Sequence, residues 1–345
     1  PVLADWADRT GGNVLKWLTA GLTLVSAACF TAIQLLPLPE TAFGLLYLLG
    51  VFAFDAMNPL MNALNVSYMT SGYSINYGLS RGMGSLAYAI AALGIGKIMA
   101  RFGADWMIWI SLGLLAINAA MAMSYPSLVT GVSTEKKQND CCSIPVFFRR
   151  YRWYCVSLLG VMLLAMFHAM TENYLIRIMG RLGGDSGSVG VALFIATFVE
   201  MVVLLFFERV RKHMKDTLLL KIAGLSFLLK AVLLLFAPSV TAIYLIQLLQ
   251  ATSYTFLSPT QMYYARSRIA MADMVKGQAF ITAAYALGCA FGNFLGGQLL
   301  DISGVMALLI TGIFVAAAGT VILFVTVEKY DSAILAEISG AQERN

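Results

Sequence analysis

Ten unbroken apolar runs, at 14–36, 41–64, 77–99, 104–125, 152–176, 187–207, 217–237, 241–264, 276–300 and 304–327, set the terms on which this chain can fold. Each is about the 20 residues that a helix needs to cross the hydrocarbon core of a bilayer. In lipid no water satisfies the backbone, so a spanning chain forms helices or a closed barrel. Barrel strands alternate over about 10 residues, and these runs do not alternate. A soluble alternative fails on composition: only 12% of residues are charged and 59% are hydrophobic, against about 25% charged in soluble domains. The mean hydropathy is +0.78. The expected fold class is an all-α integral membrane protein with ten transmembrane helices.

Glycine, proline and charged residues punctuate the runs, at Pro37 and Pro39, Gly72, Gly103, Gly183–Gly184, Lys212–Asp216, Pro238, Arg266–Asp273 and Gly304. Lysine and arginine then orient the chain. Sixteen fall on the side that holds both ends and the polar stretch 126–150, and four, Lys97, Arg101, Arg177 and Arg181, fall on the other. Both termini and the central loop are therefore expected in the cytoplasm, with the protein multi-pass in the cell membrane. This bias accounts for the net charge of +5 without a nucleic-acid partner. Cys29, Cys141, Cys142, Cys155 and Cys289 have no metal-ligand or disulfide spacing, so neither a metal nor another cofactor is expected. The 18 methionines are scattered and read as adaptable packing.

The chain also repeats. A shift of roughly 200 residues lays 14–36 on 217–237, 41–64 on 241–264, 77–99 on 276–300 and 104–125 on 304–327. Gly96-Lys97-Ile98-Met99-Ala100-Arg101-Phe102-Gly103 closes the third run as Gly297-Gln298-Leu299-Leu300-Asp301-Ile302-Ser303-Gly304 closes the ninth. Runs 152–176 and 187–207 lack partners unless two helices precede residue 1. The expected plan is thus ten helices present of twelve, in two parallel six-helix halves. Residues 1–125 form the N-terminal half, 126–150 the central loop, 151–327 the C-terminal half and 328–345 a polar tail.

Asp5-Trp6-Ala7-Asp8-Arg9-Thr10-Gly11 resembles the cytoplasmic loop signature G-x-x-x-D-R-x-G-R-R of the major facilitator superfamily, between its second and third helices. The leading glycine is absent, and Gly12-Asn13 stands where the basic pair would be. Tyr77-Gly78-Leu79-Ser80-Arg81-Gly82-Met83-Gly84-Ser85-Leu86-Ala87-Tyr88 resembles the fifth helix of the lactose permease and its oligosaccharide–proton symporter relatives. The resemblance implies the major facilitator fold, whose halves are related by an axis along the membrane normal, with Asp8 and Arg9 in a gating loop.

An ionisable group at a helix centre costs about 2.5–3.5 kcal/mol on insertion scales and is a functional candidate by default. Asp55, Arg81, His168, Glu172, Glu200, Lys221 and Lys230 qualify. Lys221, close to its helix start, is expected to snorkel to the surface. Asp55, Asn58, Asn62 and Asn65 share one helix face, and Arg81, Ser85 and Tyr88 another. His168 and Glu172, four apart, can pair. Gln247, Gln250 and Tyr254 make a further stripe, as do Gln278, Thr282 and Tyr285. Five striped helices suggest a shared wet cavity. Interhelical hydrogen bonding is the competing account of the amides and hydroxyls. Arg81 offers a planar fork for vicinal hydroxyls or a carboxylate, and Tyr88 a flat ring for stacking.

The permease resemblance implies that Arg81 and Tyr88 contact sugar, although a tryptophan occupies the Tyr88 position there. It implies also that Glu200 is the eighth-helix glutamate linking sugar and proton sites, and that Lys230 replaces a ninth-helix arginine. Gln250 and Ser253 stand where the family has its tenth-helix histidine and proton-carrying glutamate, and Asn62 and Asn65 where a fourth-helix glutamate is expected. That departure puts lactose and the permease's proton carrier in doubt. The expected substrate site is Arg81, Tyr88, Asn62, Asn65, Asp55, Gln250 and Tyr285, with Glu200, Glu172, His168 and Lys230 for proton coupling.

The function these features point to is secondary transport of a small polar solute, a sugar or glycoside first, coupled to protons by alternating access. A nucleoside or aromatic acid is the alternative solute, and a non-transporting sensor the alternative role. No enzyme constellation is present, and no GxxxxGK[ST] loop for ATP. The expected partners are the solute, the proton and the bilayer, with the protein a monomer.

Overall fold

The computed structural model describes residues 12–70, 77–103, 106–124, 144–270 and 273–329; within these, the side chains of 12–15, 58–60, 62–70, 77–82, 85 and 274–275 are not described. The helices are α1 (Gly12–Leu35), α2 (Glu40–Thr70), α3 (Tyr77–Phe102), α4 (Trp106–Ser124), α5 (Ile144–Arg150), α6 (Arg152–Glu172), α7 (Leu175–Gly180) and α8 (Ser186–His213). They continue with α9 (Asp216–Leu235), α10 (Val240–Gln247), a 3₁₀ turn (Leu248–Ala251), α11 (Tyr254–Arg268) and α12 (Met274–Thr326).

Among the described residues, eight helical stretches are long and apolar enough to cross a membrane. One of them, the 51 residues Lys276–Thr326, holds two crossings, because Gly304 at φ 74° and ψ −174° turns the chain inside α12. A positive φ there is open to glycine at no steric cost. With the 26-residue α3, ten crossings correspond to the ten apolar runs. Leu45, Phe294, Phe314 and Ile302 stand 65–78% exposed, apolar surface of the kind that lipid or neighbouring helices cover in a membrane protein.

Packing divides the chain into two compact units. One comprises 1–81 and 98–136, the other 82–97 and 137–345. In the first, α1 lies against both α2 and α4, and Ser26 donates to the Gly50 carbonyl at 3.0 Å. In the second, α6 lies along α12 and α9 lies between α11 and α12. Glycines set the α6–α12 distance. A methyl group at Gly288 would meet the Met162 carbonyl oxygen at 2.2 Å, and one at Gly292 the Met166 carbonyl oxygen at 2.4 Å. The two backbones therefore touch, as membrane helices do where small residues recur every fourth position.

Helix ends in the second unit are closed by specific bonds. Asp185 caps α8 by accepting from the Ser188 amide at 2.8 Å, and Ser239 caps α10. Arg181 donates to the Leu234 and Leu235 carbonyls at the end of α9. Arg268, 3% exposed, donates to the Val327 and Lys329 carbonyls beyond the end of α12. Lys221 reaches out to pair with Glu328.

Two runs depart from the expected continuous helices. Run 152–176 stops as α6 at Glu172 and restarts as α7. Run 241–264 is broken inside the membrane, between α10 and α11. The sequence there offers the backbone side-chain substitutes. The Thr255 hydroxyl donates to the Gln250 carbonyl at 2.7 Å, and the Ser226 hydroxyl of α9 reaches Thr252 at 2.8 Å. Broken helices are tolerated at membrane depth only where such partners exist.

Candidate functional site

The site is built where α6, α9 and the α10–α11 break meet in the second unit. Lys230 projects from α9 and is 1% exposed. Its ammonium donates to Glu172 Oε1 at 2.8 Å and to Gln250 Oε1 at 3.1 Å. Three crossings thus converge on one cation, and an ammonium so far from water requires such partners. Glu172, 16% exposed, is the more open member of the pair. The Gln247 side chain, itself 1% exposed, lies close to Glu172, and its Oε1 receives no hydrogen bond among the described residues.

Aromatic rings flank the pair. His168, one turn before Glu172 on α6, lies flat on Tyr254 with centroids 4.8 Å apart and planes 12° apart. Its far side meets the edge of Phe227 at 6.1 Å. Tyr254 in turn neighbours Tyr285 at 6.1 Å, and Tyr285 shares side-chain hydrogen bonds with Tyr254 and Cys289. Tyr88, from the part of α3 that belongs to this unit, is 54% exposed. The charges of Glu172 and Glu200 both act on its phenol.

The expected residues therefore separate. Glu172, Lys230, Gln250, His168, Tyr285 and Tyr88 lie in the second unit; the first three are joined by hydrogen bonds, and Tyr254 links His168 to Tyr285. Glu200, on α8, is half-buried and has an interaction of its own. Asp55 is exposed on α2 in the first unit. Asn62, Asn65 and Arg81 belong to helices of that unit, and their side chains lie outside the described residues. Asp8, Arg9, Cys141 and Cys142 also lie outside them.

Glu172 has two candidate partners, His168 on its own helix and Lys230 on α9, and in the structure its carboxylate takes the ammonium of Lys230. In a low-dielectric interior a full opposite charge at 2.8 Å outweighs an imidazole bond, and the His168 ring is committed to Tyr254. Its Nδ1 is buried without a hydrogen bond. Sequence reading also left out Gln247, Tyr254 and Ser253 as site residues. Gln247 and Tyr254 had a signal in their shared stripe with Gln250. Ser253, 0% exposed with no partner for its hydroxyl among the described residues, had one only in the family resemblance of its position.

Chemically, the cluster presents an ammonium and amides for hydroxyl or carboxylate groups, a carboxylate able to exchange a proton, and rings able to stack. Among the described residues, no group of three or more His, Cys, Asp or Glu could hold a metal.

A family model described as the MFS_1 like family matches residues 1–311. No curated protein matches the chain. Among solved structures, the nucleoside transporter NupG is similar with a TM-score of 0.74 and 15% identity, over 96% of this chain and 87% of that one. The E. coli fucose:proton symporter FucP is similar with a TM-score of 0.52 and 13% identity, over 91% of this chain and 83% of that one. At such identities the two structures establish the fold.

Proposed function

This chain belongs to the MFS_1 like family, a multi-pass transporter of the major facilitator fold rather than an enzyme, and from that premise we propose that it carries a sugar or glycoside together with a proton. The observation that carries the reading is the buried Lys230–Glu172–Gln250 network, which ties α6, α9 and the α10–α11 break together. A charged pair inside a membrane bundle costs stability, and it sits on crossings that a transport cycle must move. Protonation of Glu172 cancels its charge, loosens its bond to Lys230 and so links proton binding to the relative position of those helices.

In this reading Tyr88 and Gln250 hold the solute and Tyr285 stacks beside it, and Arg81, Asp55, Asn62 and Asn65 are the substrate-binding candidates of the first unit. Glu200 and His168 work with Glu172 and Lys230 in proton transfer, and Asp8 and Arg9 gate the cytoplasmic side. The protein is placed in the cell membrane as a monomer, with both termini inside. A nucleoside is the second reading. The planar amides of Gln247 and Gln250 beside the His168–Tyr254 stack favour it, because amide edges and ring faces suit a base. The likeness to a nucleoside transporter supports it.

The test is to record external pH from cells expressing the protein while adding a panel of glycosides and nucleosides. Alkalinisation on one compound, abolished by Arg81→Ala, supports symport and names the solute class. Silence across the panel, with the protein shown to be in the membrane, overturns both readings.

A further inference from the structure

The bonding around Glu172 is that of a carboxylate receptor filled by the protein's own carboxylate. A buried donor holds it, the Lys230 ammonium at 2.8 Å, and the buried Gln247 side-chain amide lies close by. Of the three ammonium protons available to a lysine, two are used among the described residues, on Glu172 and Gln250. The break presents a second electropositive feature. α11, 15 residues long, starts inside the membrane with no side-chain cap, and its N-terminal end carries the positive pole of the helix. Ser253, at that end, is fully buried, and its hydroxyl has no partner. The α9 face carrying Ser226 and Lys230 bonds into the same break, to Thr252 and Gln250.

We propose that the solute is itself a carboxylate on a ring, and that it replaces Glu172 at Lys230 and Gln247 when Glu172 is protonated. This rests on the reading of the chain as a proton-coupled transporter and puts an acid in place of the neutral solute of that reading. A proton arriving on the Glu172 carboxylate makes it a neutral carboxylic acid, and Lys230 stays an ammonium. The buried cation has then lost its counter-charge, a state more costly than the intact pair. A carboxylate restores the pair, whereas a neutral hydroxyl leaves it incomplete. One proton and one monoanion move together, so the cycle carries no net charge. The ring of the solute would then lie against the partly exposed Tyr254 and Tyr285.

The groups surrounding Glu172 bear on the pH dependence. They are His168 on its own helix and Lys230 on α9, with Tyr88 on α3 within electrostatic reach; Tyr254 on α11 stands behind His168, and Glu200 on α8 acts on Tyr88. Lys230 is the cation among them in contact with the carboxylate, and it governs the exchange.

The experiment uses the full chain in proteoliposomes with the membrane potential clamped at zero. D-Galacturonate and 4-hydroxybenzoate are the acid probes, and galactose and 4-hydroxybenzyl alcohol their neutral counterparts. Binding is read by thermal stabilisation and transport by uptake driven by an inward proton gradient. We expect one acid to enter at least tenfold faster than its neutral counterpart, at a rate unchanged by an imposed potential. Which acid does so separates a sugar acid from an aromatic acid.

Lys230→Gln is expected to abolish the preference, and Lys230→Arg to restore part of it. Glu172→Gln, which imitates the protonated state, is expected to bind the acid several-fold more tightly, to lose the pH dependence of binding and to lose uphill uptake. This second variant decides the matter if Lys230→Gln does not fold. Equal uptake of a neutral counterpart, no response to either acid, or pH-dependent binding of unimproved affinity in Glu172→Gln overturns the proposal. Proton-coupled entry of a neutral compound does so while leaving the transporter reading intact.

Discussion

A single methyl group at Gly292 tests whether backbone contact between α6 and α12 positions the site. A methyl there would sit 2.4 Å from the Met166 carbonyl oxygen, whereas close carbon–oxygen contacts in helix interfaces begin at about 3.3 Å. The opposing atom is backbone and cannot rotate away, so the helices must part by about 0.9 Å. Overpacking of this kind costs about 1–3 kcal/mol. A cooperative unit of 150–250 residues loses about 2–4 °C per kcal/mol, which places the loss for Gly292→Ala at about 4–8 °C from a mid-range 2 kcal/mol.

Function should suffer as well. Met166 lies six residues before Glu172 on α6, so a shift of α6 taken up along the Glu172–Lys230 bond stretches it from 2.8 Å to about 3.7 Å, beyond hydrogen-bond range. The assay is thermal unfolding of the purified protein in detergent, together with the pH dependence of uptake. Gly94→Ala is the control, because a methyl there meets nothing within 4 Å. It is expected to leave stability equal or slightly raised. An unfolding temperature and pH profile unchanged in Gly292→Ala would refute the reasoning.

Other consequences are as direct. Arg268→Ala removes the cation that holds the Val327 and Lys329 carbonyls, and hydrogen bonds to charged groups contribute about 1.5–3 kcal/mol each. Earlier thermal unfolding, with protease cleavage after residue 326 at lower enzyme concentration, is expected; cleavage matching the native protein would count against the cap. The two hydrogen bonds from Ser188 hold the Asp185 carboxyl below its usual range. Stabilisation by this cap is therefore full above the ordinary aspartate value and disappears as pH falls through the lower, folded value. Amide protection at 186–189, taken relative to the intrinsic exchange rate at each pH, should fall on acidification in the native protein and stay flat in Asp185→Asn, and identical profiles would remove the carboxylate from the argument.

Much of the architecture was readable because lipid imposes length and composition on each crossing. The ten runs, the turn at Gly304 and the ionisable residues Glu172 and Lys230 all follow from that rule. The choice of Lys230 over His168 as the partner of Glu172 did not, because helical spacing ranks neighbours on the same helix and is silent on a lysine 58 residues away. Nor did the break at Leu248–Ser253. Its polar run, Gln247, Gln250, Thr252 and Ser253, was visible as a helical stripe, yet a stripe does not distinguish a continuous helix from an interrupted one. The glycines at 288, 292 and 296 recur every four residues in the sequence. Their role emerges only with the carbonyls of α6 opposite them.

The interrupted crossing has a consequence for how the protein is made. Val240–Arg268 has the lowest mean hydropathy of the eight membrane-length stretches, 1.2, against 2.6 for Ser186–His213 and for Lys276–Thr326. A nascent segment this polar gains little by leaving the insertion machinery for lipid alone. It becomes favourable once α9 is present to give Gln250 the Lys230 ammonium and Thr252 the Ser226 hydroxyl. Biosynthesis of the second unit is therefore expected to require retention of α9 beside the translocon until the following crossing emerges. Polar atoms that serve the mature protein thereby order its assembly.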